Sequence, residues 1–151
     1  MFAYGQTVAN AIAVMSYLAA DPSHRAASGE IAAARGISKA LTAKLLTQLA
    51  AAGLVAGQPG PGGGYRLAKE PNEISLLAIA SLFEQIDLPV LCAFGPGWCG
   101  QGDPCPLHDR VNELIALNWR FMEETRLSVF LGRRRKSQTL RSTDDLTNNI
   151  A

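Results

Sequence analysis

The chain has 151 residues, of which 48% are hydrophobic, and its net charge is +1. This length is enough for one domain with its own core plus an extension, and no apolar run is long enough to span a bilayer. The odd number of cysteines and the lack of a basic leader disfavour a secreted disulfide scaffold. We therefore expect a cytoplasmic protein whose thiolates are available to a metal.

The start of the chain predicts two helices separated by a proline. Apolar residues recur at helical spacing over about residues 4–20 and indicate an amphipathic helix. Asp21-Pro22 ends this helix, because proline disfavours the helical conformation in the residue before it. Ser28 is then a candidate N-cap for a short helix that reaches about Arg35.

A third helix is predicted after a tight turn. Gly36 suits left-handed backbone, and Ser38 is expected to cap a helix that ends near Gly53. Two short helices joined by a glycine-containing turn are typical of a helix-turn-helix.

A glycine- and proline-rich loop at residues 57–64 separates two short apolar segments, at residues 54–55 and 65–67, which predicts a β-hairpin. No Gly-Lys-Ser/Thr follows the loop, so the nucleotide-binding fingerprints do not apply. A helix-turn-helix followed by a hairpin predicts a winged helix. Its third helix would enter the major groove of DNA, while the hairpin reaches the backbone or the minor groove.

Two more helices are predicted in the second half of the chain, over about residues 75–86 and 107–130. The apolar face of the longer one exceeds what a small winged helix needs for its own core. This helix therefore packs either against its copy in a second chain, which we expect, or inside its own core. Residues 132–151, with a basic run at 133–136, are expected to be weakly ordered and to add only salt-sensitive affinity for DNA.

Cys92, Cys99, Cys105 and His108 form a C-x6-C-x5-C-x2-H array in a segment rich in glycine and proline. Thiolates select zinc, copper(I) or iron–sulfur clusters, and imidazole replaces thiolate in some clusters. The spacing alone leaves open a cluster, a structural zinc and a thiol-redox switch. A catalytic pair of Cys105 as nucleophile and His108 as base would leave the other two cysteines unexplained. We therefore expect that the protein is not an enzyme.

The chain from about residue 9 to residue 131 resembles bacterial winged-helix regulators of the IscR/NsrR type. Residues 30–38 match the helix-turn-helix, residues 52–55 and 60–67 match the wing, and the cysteine–histidine array matches the cluster ligands in order. The first gap between cysteines is one residue longer than in some members. The resemblance implies a homodimeric bacterial transcription factor whose affinity for double-stranded operator DNA depends on an iron–sulfur cluster that senses redox, nitric oxide or iron–sulfur status.

The resemblance also implies the cluster ligands. In the branch that regulates cluster assembly, three cysteines and one histidine hold a 2Fe–2S centre. In the nitric-oxide-sensing branch, the fourth ligand is an acidic residue from the first helix of the partner subunit, and residues 4–18 contain no Asp, Glu or His. The resemblance therefore favours 2Fe–2S over 4Fe–4S, and the implied ligands are Cys92, Cys99, Cys105 and His108.

The resemblance carries over a set of candidate DNA contacts as well. Pro59 stands where many members have an arginine, and Ala43 stands where members often place a polar base-reading residue, so we expect a different operator from that of the best-known relatives. Lys39 and Lys44 are expected to contact phosphate more than bases. The candidates are Ser38, Lys39, Thr42 and Lys44 in the third helix, and Gly62, Gly63 and Tyr65 in the wing.

These predictions combine into a mainly α fold with a small β-wing. Residues 1–70 would form the winged helix-turn-helix, residues 71–131 a helix, the cluster loop and the dimerisation helix, and residues 132–151 a flexible basic tail. One alternative keeps DNA binding but has a zinc or a thiol switch at the same cysteines. A second alternative is a metal-stabilised interaction or electron-transfer module without DNA binding, which the helix-turn-helix and the wing argue against.

Overall fold

The computed structural model describes residues 4–84 and 104–133. In this part of the chain, the predicted mainly α architecture with a β-wing is confirmed. Short 3-10 helices lie at Pro71–Glu73 and Leu127–Phe130. The helices are α1 (Gln6–Ala20), α2 (Ser28–Arg35), α3 (Lys39–Ala51), α4 (Leu76–Ala80) and α5 (His108–Glu124), and the strands are β1 (Val55–Gln58) and β2 (Gly64–Leu67).

The turn between α2 and α3 forms as predicted. Gly36 has a φ of 65°, in the left-handed region that favours glycine, and its N–H donates to the carbonyl of Ala32. The Ser38 hydroxyl accepts from the N–H of Leu41 at 3.2 Å and so caps α3. Ser28, by contrast, is the first residue of α2 and not its cap. Ala27 holds the extended cap conformation and its carbonyl accepts from the N–H of Ile31, so the predicted side-chain cap is wrong.

The wing is hydrogen-bonded to the segment before α2 as well as within its own hairpin. β1 and β2 pair antiparallel from Val55↔Leu67 to Gln58↔Gly64. Ala26, just before α2, also bridges to Tyr65 through N–H···O bonds of 2.9 and 2.8 Å. The wing therefore has a fixed position relative to the helix-turn-helix.

One hydrophobic core spans the segments on both sides of residue 70. Helix α1 runs through its centre, and nine of its fifteen residues are buried. Helices α2 to α4, the hairpin, one residue of α5 and the closing 3-10 helix contribute the rest. The fully buried side chains that fill most of its volume include Met15, Leu18, Ile31, Leu45, Leu46, Leu49, Ile74, Ile79 and Leu127.

Helix α5 ends at Glu124 and not near residue 130 as predicted, because the chain turns back to the core. Thr125 is extended, and its carbonyl accepts from the N–H of Leu76 at 3.0 Å. The N–H of Leu127 then donates to Ile74, at 2.9 Å. These bonds tie the end of α5 to the start of α4.

Helix α4 is also shorter than the predicted 75–86. It has the predicted Ser75 cap, whose hydroxyl accepts from the N–H of Ala78 at 3.0 Å. After Ala80 the chain continues in tighter turns, with the N–H of Leu82 bonded to Ile79. The predicted end at residue 86 and the tail beyond residue 133 lie outside the described residues. No helix in the described ranges combines the length and apolar character needed to cross a bilayer.

Candidate functional site

Helix α3 has two distinct faces. One face is buried in the core and carries Thr42, Leu45, Leu46 and Leu49. The other face is exposed and carries Lys39, Ala40, Ala43, Lys44, Thr47 and Gln48. The exposed face is available to the major groove of DNA, as a recognition helix requires.

The structure corrects one predicted DNA contact, because the side chain of Thr42 is fully buried. The positions 42, 45, 46 and 49 share the i, i+3, i+4, i+7 spacing of a core face, so the sequence did carry this signal. The same period places Thr47 and Gln48 on the exposed face with Ala40 and Ala43. Thr47 and Gln48 were not among the DNA contacts predicted from the sequence. Ser38, Lys39 and Lys44 are exposed, and neither lysine forms an ion pair with any residue in the two described ranges.

A polar network fixes α1 against α2. The Tyr17 hydroxyl donates to Glu30 Oε1 at 2.7 Å, and His24 Nε2 lies 3.1 Å from the same oxygen. Arg35 Nη2 donates to Ser16 Oγ at 3.1 Å, and its guanidinium stands 5.4 Å from the Tyr17 ring centroid. These contacts hold α2, the first helix of the helix-turn-helix, against α1 without using the exposed lysines.

Two pKa values in this network depart from their ordinary range. Burial raises the pKa of Glu30, but the hydrogen bond from Tyr17 and the contacts with His24 outweigh it, so the net shift is downward. Burial lowers the pKa of Arg35, and the nearby Tyr17 opposes that shift. Glu30 is therefore held in its charged form by its neighbours.

The predicted wing residues have different structural roles. Gly62 is exposed, with a φ of 71° and open space where a side chain would lie. A Cβ on Gly63 would collide with the carbonyl of Gln58, so the loop accepts only glycine there. Tyr65 is half-buried, and its ring lies against Gly57. Of the three predicted contacts, Gly62 is the most accessible to DNA.

Cys105 and His108 lie in one turn at the start of α5. The N–H of His108 donates to the carbonyl of Cys105 at 2.9 Å, and both residues are half-buried. Asn112, one helical turn further on, places its amide nitrogen 3.0 Å from His108 Nε2. Cys92 and Cys99 lie outside the described residues, and within those residues no group of three or more His, Cys, Asp or Glu is arranged to hold a metal.

Helix α5 exposes large apolar side chains along one face. Leu114 is 66% exposed and Leu117 is 59% exposed, while Phe121 and Ile115 are 43% and 38% exposed. Positions 114, 117 and 121 share the spacing of one helix face. This is a contiguous apolar surface of the kind that marks an interaction site.

A helix-turn-helix with an attached β-wing and an exposed third helix defines a winged-helix DNA-binding protein. The chain matches the Rrf2 family, described as an iron-dependent transcriptional regulator, over residues 4–132. It belongs to that family and is a DNA-binding transcriptional regulator.

Two curated relatives illustrate the similarity. The chain is 32% identical over 113 residues to an HTH-type transcriptional regulator of Aquifex aeolicus, covering 74% of this chain and 78% of that protein. It is 35% identical over 103 residues to the HTH-type transcriptional regulator IscR of Aliivibrio salmonicida, covering 68% of this chain. That match spans 55% of the length of the IscR protein, so the chain corresponds to about half of it. These relatives are transcriptional regulators and not enzymes.

The fold is also that of a solved regulator. The structure of CymR, the global cysteine regulator of B. subtilis, superposes with a TM-score of 0.70 and covers 86% of this chain and 97% of that one. Sequence identity is 21%, so this likeness concerns the fold alone.

Proposed function

We propose that the protein is a homodimeric regulator whose affinity for operator DNA is controlled by an iron–sulfur cluster held by Cys92, Cys99, Cys105 and His108. The observation that carries this proposal is the turn that brings Cys105 and His108 together at the start of α5. A thiolate and an imidazole in one turn are a donor set suited to such a cluster or to zinc. The family description as iron-dependent favours iron.

When bound, the cluster supplies a centre whose oxidation state and integrity respond to redox state, nitric oxide or iron supply. The proposed 2Fe–2S type fits three thiolates and one imidazole. The proposed cytoplasmic location fits reduced thiols.

Backbone hydrogen bonds and one bond to a carboxylate side chain support a route from this turn to the winged helix. His108 opens α5, and the end of α5 is bonded to the start of α4 through Thr125 and Leu76. Glu84, which follows α4, accepts from the N–H of Gly5 at 2.7 Å, next to the first turn of α1. A change in how Cys105 and His108 are held therefore moves elements that pack directly on α1 and shifts the population competent to bind DNA.

The apolar face of α5 supports the dimer. In a two-fold dimer the same patch meets its own copy, so one exposed helix face is enough. The dimer helix and the proposed ligand turn are then one continuous element. Dimer geometry sets the spacing of the two reading helices on the DNA.

Anaerobic reconstitution with iron and sulfide tests the cluster. We expect a coloured protein with visible absorption, with equal amounts of bound iron and sulfide, and with operator affinity that changes on cluster loss. Electron paramagnetic resonance after reduction separates 2Fe–2S from 4Fe–4S. Bound zinc without sulfide would refute the cluster in favour of a structural zinc at the same cysteines. Reversible thiol oxidation without bound metal would refute it in favour of a thiol-redox switch.

A matched pair of variants tests the fourth ligand. His108→Ala should alter the visible spectrum and shift the reduction potential, because it removes the proposed imidazole ligand and the potential depends on the ligand set. Asp109→Asn changes the exposed neighbour of His108 without removing a proposed ligand, and it should leave the visible spectrum unchanged. An unaltered spectrum in His108→Ala would remove this residue from the ligand set.

A further inference from the structure

The exposed face of α3 presents methyl groups along its middle. Ala40, Ala43 and Thr47 are all exposed and share the i, i+3, i+7 spacing of one line along the helix. The Thr47 hydroxyl donates to the carbonyl of Ala43 at 2.9 Å. Because the proton of that hydroxyl is donated within its own helix, Thr47 offers a ligand its methyl group and an acceptor oxygen but no hydrogen-bond donor.

Positive charge lies beside this line and not in it. Lys39 and Lys44 are exposed neighbours of Ala40 and Ala43, and neither forms an ion pair with another described residue. Lysines at such positions reach phosphates, which fix the helix in the groove without reading sequence. The exposed positions between these lysines, Ala40 and Ala43, are apolar, and the polar Gln48 lies beyond them, one turn after Lys44.

The major groove offers one apolar group on the edges of the bases, the C5-methyl of thymine. Guanine and cytosine edges placed against Ala40 or Ala43 would lose water without gaining a hydrogen bond in return. We infer that the protein selects operator half-sites by thymine methyl groups packed against Ala40, Ala43 and Thr47. This inference rests on DNA reading by α3, the exposed third helix of the winged helix-turn-helix, and it is independent of the proposed cluster.

The test uses the full chain, purified anaerobically, and DNA enriched by it from a double-stranded library with a randomised central segment. Each thymine of the enriched half-site is then replaced by deoxyuridine, which removes only the methyl group. We expect replacement at the positions facing α3 to weaken binding about fourfold for each methyl lost, from the free energy of burying one such group. Replacement of thymines outside the half-site should have no effect.

A double-mutant cycle assigns the contact to a residue. Ala43→Gly should bind thymine DNA about fourfold more weakly and should lose its sensitivity to deoxyuridine at one position. Ala78→Gly, an exposed alanine of α4, is the matched control and should keep that sensitivity.

Three outcomes overturn the inference. The first is enriched DNA that binds equally well with uracil throughout, and the second is enrichment of half-sites with G·C pairs at the protected positions. Either refutes thymine reading while leaving DNA binding and the cluster standing. The third is failure to enrich any sequence in both the reconstituted and the metal-free forms, which would refute sequence-specific reading by α3 altogether.

Discussion

The buried hydroxyl oxygen of Thr42 lowers the stability of the folded protein. Its side chain is fully buried, and its hydroxyl oxygen has no hydrogen-bond partner among residues 4–84 and 104–133. A buried, unsatisfied hydroxyl costs free energy, and valine has the same shape without it. We expect Thr42→Val to raise the free energy of unfolding by about 1 kcal/mol, measured by urea denaturation.

The control for this prediction lies on the opposite face of the same helix. Thr47→Val makes the same chemical change at an exposed position, where we expect a change of less than about 0.5 kcal/mol. Equal effects of the two substitutions would show that helix propensity, and not the buried hydroxyl, decides the result.

Glu30 makes the stability of the fold depend on pH. Its pKa in the folded protein lies below the ordinary 4.5, so its interactions stabilise the protein above that value and are lost as the pH falls through the folded pKa. Glu30→Gln should therefore be less stable than the parent at neutral pH, with a shallower loss of stability between about pH 5 and pH 3. Urea denaturation across this range measures both effects, and Glu113→Gln, exposed on α5, should follow the parent curve.

At the scale of elements, the wing depends on one close backbone contact. Gly64 has a φ of 134°, and a Cβ there would lie 2.8 Å from the carbonyl oxygen of Ala26. Gly64→Ala should break the bridge between Ala26 and Tyr65, destabilise the protein by about 2 kcal/mol and weaken DNA binding. Denaturation and fluorescence anisotropy with operator DNA measure these losses.

Gly62→Asn provides the comparison for the wing. Gly62 also has a positive φ, but it faces open space, and asparagine tolerates left-handed backbone. We expect a folded wing in this variant. Unfolding of both variants to the same extent would mean that positive φ, and not the contact with Ala26, accounts for the effect of Gly64→Ala.

Local signals were enough to predict the helix-turn-helix and the wing. Gly36, Ser38 and the Gly-Pro loop each act through residues close in sequence, so their effects could be read directly. The end of α5 is set by the bond from Leu76 to Thr125, which joins residues far apart in sequence, and no local pattern reports it. For the candidate site, the short spacing of Cys105 and His108 already brings them within one turn, and their role as ligands stays a prediction. Thr42 was placed on the DNA-facing side of α3 wrongly, although the spacing of the buried face was visible in the sequence.

At the scale of the whole molecule, the apolar face of α5 determines the proposed dimer. Leu114 is its most exposed member, and in a two-fold dimer both copies lie at or near the interface. Leu114→Glu should weaken dimerisation by about a hundredfold or more, since each buried leucine contributes about 2 kcal/mol. Sedimentation over a range of concentrations measures this change.

The control for the dimer interface is an exposed apolar residue outside α5. Val129 is 51% exposed in the closing 3-10 helix, and Val129→Glu should sediment like the parent protein. A Leu114→Glu variant that remains a dimer at all concentrations would place the interface elsewhere.

The charge of the reading face sets how strongly salt weakens DNA binding. We expect Lys39 and Lys44 to make four phosphate contacts in the proposed homodimer, and these contacts should contribute about −3.6 to the slope of the logarithm of affinity against the logarithm of salt concentration. Lys44→Ala removes two of these contacts and should make the slope shallower by about 1.8 for every DNA sequence tested. Arg120→Ala, exposed on α5, should leave it unchanged. A slope that Lys44→Ala does not alter would mean that Lys44 does not neutralise a phosphate, and the reading face would have to be held by other cations.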